Sequence, residues 1–345
     1  MEGITGLFDE IENRKYDTSA CFLCGTTLDE KNRTDEHVFP KWLQRELALK
    51  DEILNLPNNS TIKYKSLKIP CCAECNNHHL SSIERKIHQA FKGGYSTFSK
   101  LDYSILYLWM TKIYFGLCYN DMFHLIDQKD PSQGTIITEE YIRGLRTIYQ
   151  FLQEARGKHV CKGFVPASIF IVQMQNDNSK FMRWDFMDRL AYNFIALRMK
   201  DIGIIAVLYD CGVVNEALEI DDFYRIPLHP IQFNELCALI FYNSLLLNRT
   251  PNFISIQNAG GVVETHLMPL GGFSTKPFFD DWDWEDYNEV LSSFTGYPYQ
   301  KLMELENCTM TWIHDNFGNI NNIPIEEHRF VNYFNVDPSL IKPIM

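Results

Sequence analysis

CFLC at residues 21–24 and CAEC at residues 72–75 are two matching cysteine pairs near the N-terminus of this chain. Two residues separate the cysteines of each pair, so a tight turn can present both thiols to one metal ion. Four sulfur ligands leave no coordination position open, which is typical of a structural zinc site. Cys71 is the alternative to Cys72, but its spacing to Cys75 fits the turn less well. The expected ligands of this Zn²⁺ ion are Cys21, Cys24, Cys72 and Cys75.

The other five cysteines are isolated in the sequence and are interpreted as small buried thiols in a reducing compartment: Cys118, Cys161, Cys211, Cys237 and Cys308. Ten cysteines among 345 residues are too few for a disulfide scaffold. The longest apolar runs, residues 194–214 and 233–247, are interrupted by charged or amide side chains, which argues against a membrane-spanning helix. The N-terminus has no basic segment followed by an apolar one. We therefore expect a cytoplasmic protein that does not contact a membrane.

Between and after the cysteine pairs lie DEHVFPKWL at residues 35–43 and NNHH at residues 76–79. With the cysteines, these segments resemble the HNH endonuclease family over residues 18–90. The resemblance implies a zinc-stabilised ββα-metal (treble-clef-like) fold, in which a histidine at the end of the first strand faces a ligand on the following helix. It also implies that His37 is the general base and that Glu36 and Asn76 bind a catalytic Mg²⁺ or Mn²⁺ ion. Asn77 and His79 are the alternative ligands.

These residue types suit phosphodiester hydrolysis. A neutral imidazole can accept a proton from the attacking water near pH 7. A carboxylate and an amide are oxygen ligands of the kind that hard divalent cations take, and such an ion stabilises charge on the phosphate and the leaving oxygen. Two departures from the family pattern stand out. Asp35 and Glu36 are both carboxylates, and the middle asparagine of the family is absent from its usual place, with Asn58 or Asn59 as the substitutes.

The charge is unevenly distributed. The chain carries a formal net charge of −12, which argues against binding nucleic acid over its whole surface. Residues 1–100 nevertheless contain 14 basic and 14 acidic side chains, so the whole excess of negative charge lies beyond residue 100. Six basic side chains near the motif are candidate phosphate contacts, and the alternative interpretation is an ordinary solvated surface. They are Lys41, Lys63, Lys65, Lys68, Arg85 and Lys86.

Two domains are expected, both of the α+β class: an HNH module at residues 1–95 and a larger acidic domain at residues 96–345. In the module, apolar spacing predicts helices at 41–50 and 75–91 and a strand at 61–69. In the larger domain it predicts helices at 103–119, 139–156, 230–249 and 282–294 and strands at 167–175, 194–199, 204–209, 253–257 and 262–267. The acidic run at residues 280–286 is interpreted as the first turn of a helix.

The leading hypothesis is a metal-dependent HNH endonuclease that hydrolyses DNA, in bacterial defence against foreign DNA. The competing hypothesis is a catalytically silent, zinc-stabilised scaffold that binds nucleic acid or a partner. In either case the acidic domain is expected to recognise a regulatory protein or a small ligand. HNH enzymes that cut both strands often act in pairs, which leaves a homodimer as an open alternative.

Overall fold

The structure, a computed structural model, describes residues 6–177, 179–218, 223, 226–271, 277–303, 309–315, 317, 319–325 and 334–336. Cys308 lies outside these residues. The helices are α1 (Leu7–Glu12), α2 (Lys41–Glu46), α3 (Ser81–Lys92), α4 (Tyr95–Phe98), α5 (Tyr103–Asp121), α6 (Glu139–Gly144), α7 (Arg146–Leu152), α8 (Lys180–Arg183), α9 (Val213–Ala217), α10 (Pro230–Leu246), α11 (Trp284–Thr295) and α12 (Tyr299–Met303). The strands are β1 (Arg33–His37), β2 (Ile53–Asn55), β3 (Thr61–Lys63), β4 (Lys68–Cys72), β5 (His159–Lys162), β6 (Ser168–Gln173), β7 (Trp184–Arg189), β8 (Phe194–Met199), β9 (Ile202–Val207), β10 (Thr250–Gln257), β11 (Val263–Gly271), β12 (Thr309–Thr311) and β13 (Phe334–Val336).

The chain divides into two compact units, and both mix helices with strands, as the sequence predicts. Unit 1 comprises Met1–Gly93, Lys100–Pro166 and Phe253–Met268 in their described parts. Unit 2 comprises Gly94–Ser99, Ala167–Asn252 and Pro269–Met345, again in their described parts. The sequence predicts a boundary between residues 95 and 96, whereas the unit that contains the cysteine pairs also includes α5 to β5.

Two antiparallel strand pairs form the N-terminal part of unit 1. β1 pairs with β4 in a register that places Arg33 opposite Cys72 and His37 opposite Lys68. β2 pairs with β3 as a hairpin whose turn contains Asn59 at a φ of 61°. The strand expected at residues 61–69 is therefore wrong as one element: β3 ends at Lys63, a 3₁₀ turn follows, and β4 begins only at Lys68.

The helix expected at residues 75–91 is present in two parts. Its first part, Cys75–Leu80, is π-helical, and α3 continues from Ser81 to Lys92. π-helical turns are wider than α-helical ones and recur at functional sites. The helix expected at residues 41–50 ends early, because α2 covers only Lys41–Glu46.

Helix α5 is the central helix of unit 1 and is buried over nearly its whole length. The side chain of Asp102 caps it by accepting a hydrogen bond of 2.7 Å from the backbone N–H of Ser104. At Gly116 the helix approaches β4 and the end of β1 so closely that a Cβ atom would lie 3.3 Å from side-chain carbons of Ile69 and Val38. This close approach brings the polar residues of α5 near the end of β1 and near β4, the strand that contains Cys71 and Cys72.

Unit 2 is built on an antiparallel sheet in the order β6-β9-β8-β7. The expected strands near residues 167–175, 194–199 and 204–209 correspond to β6, β8 and β9, and the last two form a hairpin. The apolar face of the sheet packs in one core with α10 and α11. Asp283 caps α11 by accepting from the backbone N–H groups of Glu285 and Asp286. The helix begins at Trp284, so only the last two acidic residues of the run at 280–286 lie in its first turn.

The strands expected at residues 253–257 and 262–267 correspond to β10 and β11, which form a three-stranded sheet with β5 in the order β10-β11-β5. β11 pairs with β5 in parallel, with Val263 opposite His159 and Thr265 opposite Cys161. Among the described residues, no helix is both long enough and apolar enough to cross a membrane.

Candidate functional site

The structure brings the four predicted cysteines of the zinc site together. The sulfur atoms of Cys21, Cys24, Cys72 and Cys75 all lie within 4.8 Å of one another. The Sγ atoms of Cys24 and Cys72 are 3.7 Å apart. A Zn–S bond of about 2.3 Å places the sulfurs of a tetrahedral site about 3.8 Å apart, so the four thiols could bind a metal ion such as zinc. The Sγ atom of Cys71 lies 3.9 Å from that of Cys21, outside this group.

The turn that carries the first cysteine pair is stabilised by Arg14, a residue for which the sequence offered no motif. Gly25 closes the turn at a φ of +75°, a conformation that favours glycine, and its N–H donates to the carbonyl oxygen of Cys21. The buried Arg14 guanidinium donates to the carbonyl oxygens of Cys21 and Phe22 and to the Tyr149 hydroxyl. The Arg14 carbon Cζ also lies 4.3 Å from the centre of the Tyr149 ring. These contacts of Arg14, together with Tyr149 of α7, fix the position of the cysteine turn within unit 1.

His37 is the last residue of β1 and is 9% exposed. Since side chains alternate along a strand, Asp35 and His37 share one face of the β1–β4 pair with Lys68, which lies directly opposite His37. The pKa of His37 is lowered to about 4, first by burial and then by the positive charges of Lys41, Lys68 and Lys112. The imidazole is therefore neutral at pH 7, the form that a general base requires.

Glu36 faces the opposite side of β1, where it forms a buried ion pair with Lys112 of α5. The Lys112 ammonium group is 2% exposed and also contacts Glu84 Oε1 at 3.1 Å. It donates to the backbone oxygens of His37 at 2.6 Å and Val38 at 3.2 Å. Burial alone would lower the pKa of Lys112, but the two carboxylates raise it. Burial raises the pKa of Glu36 to about 7, although Lys112 opposes that shift.

Asn76 lies in the π-helical turn directly after Cys75. Its side-chain amide donates to Thr34 Oγ1 at 3.0 Å and to the backbone oxygen of Asp35 at 3.3 Å. Asn76 therefore ties the second cysteine pair to the middle of β1. Of the alternatives, His79 is half-buried with its Nε2 3.9 Å from Glu74, and Asn77 is exposed.

Asn58, one of the two candidates for the middle asparagine, forms hydrogen bonds within its own turn. Its side-chain oxygen accepts hydrogen bonds from the backbone N–H and the hydroxyl of Ser60, and its amide donates to the carbonyl oxygen of Leu125. Asn59 is the exposed turn residue with positive φ.

The resemblance implies that Glu36 and Asn76 bind one catalytic metal ion and that His37 lies beside it as the general base. The strand instead directs Glu36 and His37 to opposite faces, and the Glu36 carboxylate is neutralised by Lys112. A hard divalent cation needs carboxylate oxygens that are not committed to another cation. The residues as arranged do not fit a Mg²⁺ or Mn²⁺ ion bound by Glu36 and Asn76. The cation beside Glu36 is the ammonium group of Lys112.

The six candidate phosphate contacts all reach the surface. Lys41, Lys63, Lys68, Arg85 and Lys86 are exposed, and Lys65 is half-buried with its Nζ atom 2.6 Å from Asp51 Oδ1. Lys41 and Lys68 are the two of this set that lower the pKa of His37, which places positive potential beside the imidazole.

Comparisons of the chain with protein-family models, with curated proteins and with solved structures find no match.

Replacing Lys112 by methionine should strongly destabilise unit 1, because Glu36 and Glu84 lose their buried counter-ion. We expect the free energy of unfolding to fall by about 3–5 kcal/mol, measured by urea unfolding at about pH 8. The decrease in the free energy of unfolding should be smaller at about pH 5, because the Glu36 carboxyl, whose pKa is raised, is protonated there and needs no counter-ion. Lys112→Met combined with Glu36→Gln should recover part of the stability, and the exposed Lys100→Met should change nothing. Equal stability of Lys112→Met and the wild type would contradict the ion pair.

The imidazole of His37 should titrate with a pKa of about 4, and this can be followed by NMR of the ring carbons or nitrogens. Lys41→Gln and Lys68→Gln each remove a positive charge beside the ring, so each should raise the pKa of His37. A His37 resonance that titrates near 6.5 in the wild type, unaffected by either substitution, would contradict this environment.

Proposed function

We propose that unit 1 hydrolyses phosphodiester bonds of DNA and that His37 acts as the general base. The observation that carries the proposal is a neutral imidazole at the end of a strand anchored by the cysteine cluster, with Lys41 and Lys68 beside it. The resemblance of residues 18–90 to HNH endonucleases supports the same reaction.

In this reaction, Lys41 and Lys68 attract the phosphate and partly neutralise its charge. His37 accepts a proton from the attacking water, whose oxygen bonds to phosphorus while the bond between phosphorus and the 3′ oxygen breaks. The departing 3′ oxygen takes a proton from solvent, which leaves 5′-phosphate and 3′-hydroxyl ends. Lys112 positions His37 by holding its backbone oxygen. Because Glu36 is paired with Lys112, its carboxylate is not available to a divalent cation in this arrangement.

A cleavage assay on supercoiled plasmid tests this proposal. Wild type, His37→Ala and His78→Ala are compared with Mg²⁺, with Mn²⁺ and with chelator. His78 is an exposed histidine of the same unit and serves as the matched control. We expect His37→Ala to lose about 10²–10⁴-fold in rate and His78→Ala to cleave normally. Unchanged cleavage by His37→Ala would exclude His37 as the base.

The second candidate function is a catalytically silent, nucleic-acid-binding protein, and the Lys112–Glu36 pair favours it. In this case the wild type cuts neither DNA nor RNA with any of the metals, yet binds DNA in a salt-dependent way. Lys41→Gln and Lys68→Gln should then weaken binding to all sequences and each reduce the salt slope by about one.

We also propose that residues 96–345 recognise a regulatory protein or a small ligand and that two chains act as a pair. We propose in addition that the protein is cytoplasmic and that the nuclease acts in defence against foreign DNA.

A further inference from the structure

A second group of metal-ligating side chains lies in unit 1, outside the cysteine cluster and the β1 site. Glu154 belongs to the 3₁₀ turn Gln153–Arg156 that follows α7, and His159 and Cys161 belong to β5. The two β5 residues are two positions apart and therefore share a face of the strand. One ligand atom from each of Glu154, His159 and Cys161 lies within 4.8 Å of the other two.

His159 is the best-defined member of this group. It is 2% exposed, and its Nε2 lies 2.8 Å from Thr265 Oγ1, whereas its Nδ1 has no hydrogen-bond partner among the described residues. A buried polar nitrogen without a partner costs about 1–3 kcal/mol, so the position of Nδ1 calls for an explanation, and a bound ion is one. Burial lowers the pKa of His159 to about 4, and the ring is therefore neutral at pH 7.

The surroundings of His159 are compatible with Nδ1 as the free ring nitrogen. The Gln150 amide donates to Thr265 Oγ1 at 3.1 Å, and the Ser255 and Thr265 hydroxyls are 2.7 Å apart. When Thr265 donates to Ser255, its oxygen can accept from the Nε2–H group of His159, and this tautomer leaves the lone pair on Nδ1. Histidines that bind metals commonly donate their other N–H to such a polar partner, which fixes the orientation of the ring.

Glu154 supplies an oxygen ligand, and no cation among the described residues forms an ion pair with it. It is half-buried, burial raises its pKa, and the backbone N–H of Cys161 donates to its carboxylate. The neighbouring Arg156 pairs with Glu10 instead, at 2.9 Å. Glu154 also lines a cavity of about 590 Å³ together with Lys86, His78 and His79, so the Glu154 side of the group faces open space.

We propose that Glu154, His159 and Cys161 form a second metal site, which binds Zn²⁺ through a carboxylate oxygen, Nδ1 and a thiolate sulfur. Binding releases the thiol proton of Cys161 to solvent. A mixed oxygen, nitrogen and sulfur set suits zinc and excludes Mg²⁺ or Ca²⁺, which take oxygen ligands. Three protein ligands leave a fourth coordination position for water or an external ligand, in contrast to the closed cysteine cluster.

Zinc counting on the full chain tests this site. The protein is stripped of metal, reloaded with Zn²⁺, passed through a desalting column and analysed by mass spectrometry of the metal. We expect about two zinc ions per wild-type chain and about one in Glu154→Gln, His159→Gln and Cys161→Ala. Cys211→Ser removes an isolated cysteine of unit 2 and should keep about two. Far-UV circular dichroism identifies any variant that fails to fold, and the half-buried Glu154→Gln changes least.

Cobalt provides an independent measurement, because Co²⁺ bound to thiolate absorbs strongly in the near ultraviolet. Cys161→Ala should lose the part of this absorption that belongs to the second site, while the cysteine cluster keeps its own. About one zinc ion in the wild type, or the same count in the wild type and in folded Glu154→Gln, would overturn the proposal.

Discussion

Four thiols held within 4.8 Å of one another are the constraint on which the N-terminal part of unit 1 depends. They join the turn at residues 21–24 to the end of β4 and the start of the π-helical segment. Thiols at this separation bind a cation such as zinc as thiolates, and metal binding of that kind contributes directly to folding. Arg14 and Asn76 extend the constraint, one by holding the carbonyl groups of the turn and the other by bonding to β1.

The far end of β1 is held differently, by a buried ammonium group. Lys112 neutralises Glu36 and Glu84 and bonds to the backbone of His37 and Val38, so it connects α5, α3 and β1 at one point. A buried ion pair is costly to desolvate and costlier to break, which makes it a device for position more than for stability. The result is a histidine fixed between two anchors, with its ring on the face that carries Lys68.

Local features of this molecule could be predicted from the sequence, and contacts between distant segments could not. The cysteine spacing and the helical run that became α5 each depend on a few neighbouring residues. Lys112 lies 75 residues from His37 in the sequence, and it reaches the His37 backbone only because α5 packs on β1. The available signal was a single lysine in an otherwise apolar helix, since a buried ammonium group requires a carboxylate partner.

The interpretation of Cys161 as an isolated thiol shows the same limit. His159 and Cys161 are close in the sequence. Glu154 lies near them only because the 3₁₀ turn folds back beside β5. Thr265 belongs to β11, about a hundred residues later in the sequence. The predicted metal pair Glu36 and Asn76 lacks support for a related reason: Lys112 pairs with the Glu36 carboxylate, and no local pattern indicates which face a distant lysine will occupy.

Hydrogen–deuterium exchange, compared before and after removal of metal by a chelator, tests most directly whether the cysteine cluster positions the β1 histidine. The account predicts that amides of β1, β4 and the segment Cys75–Leu80 lose protection, while amides of the β6–β9 sheet keep theirs. Unchanged protection of β1 and β4 in the metal-free protein would contradict it.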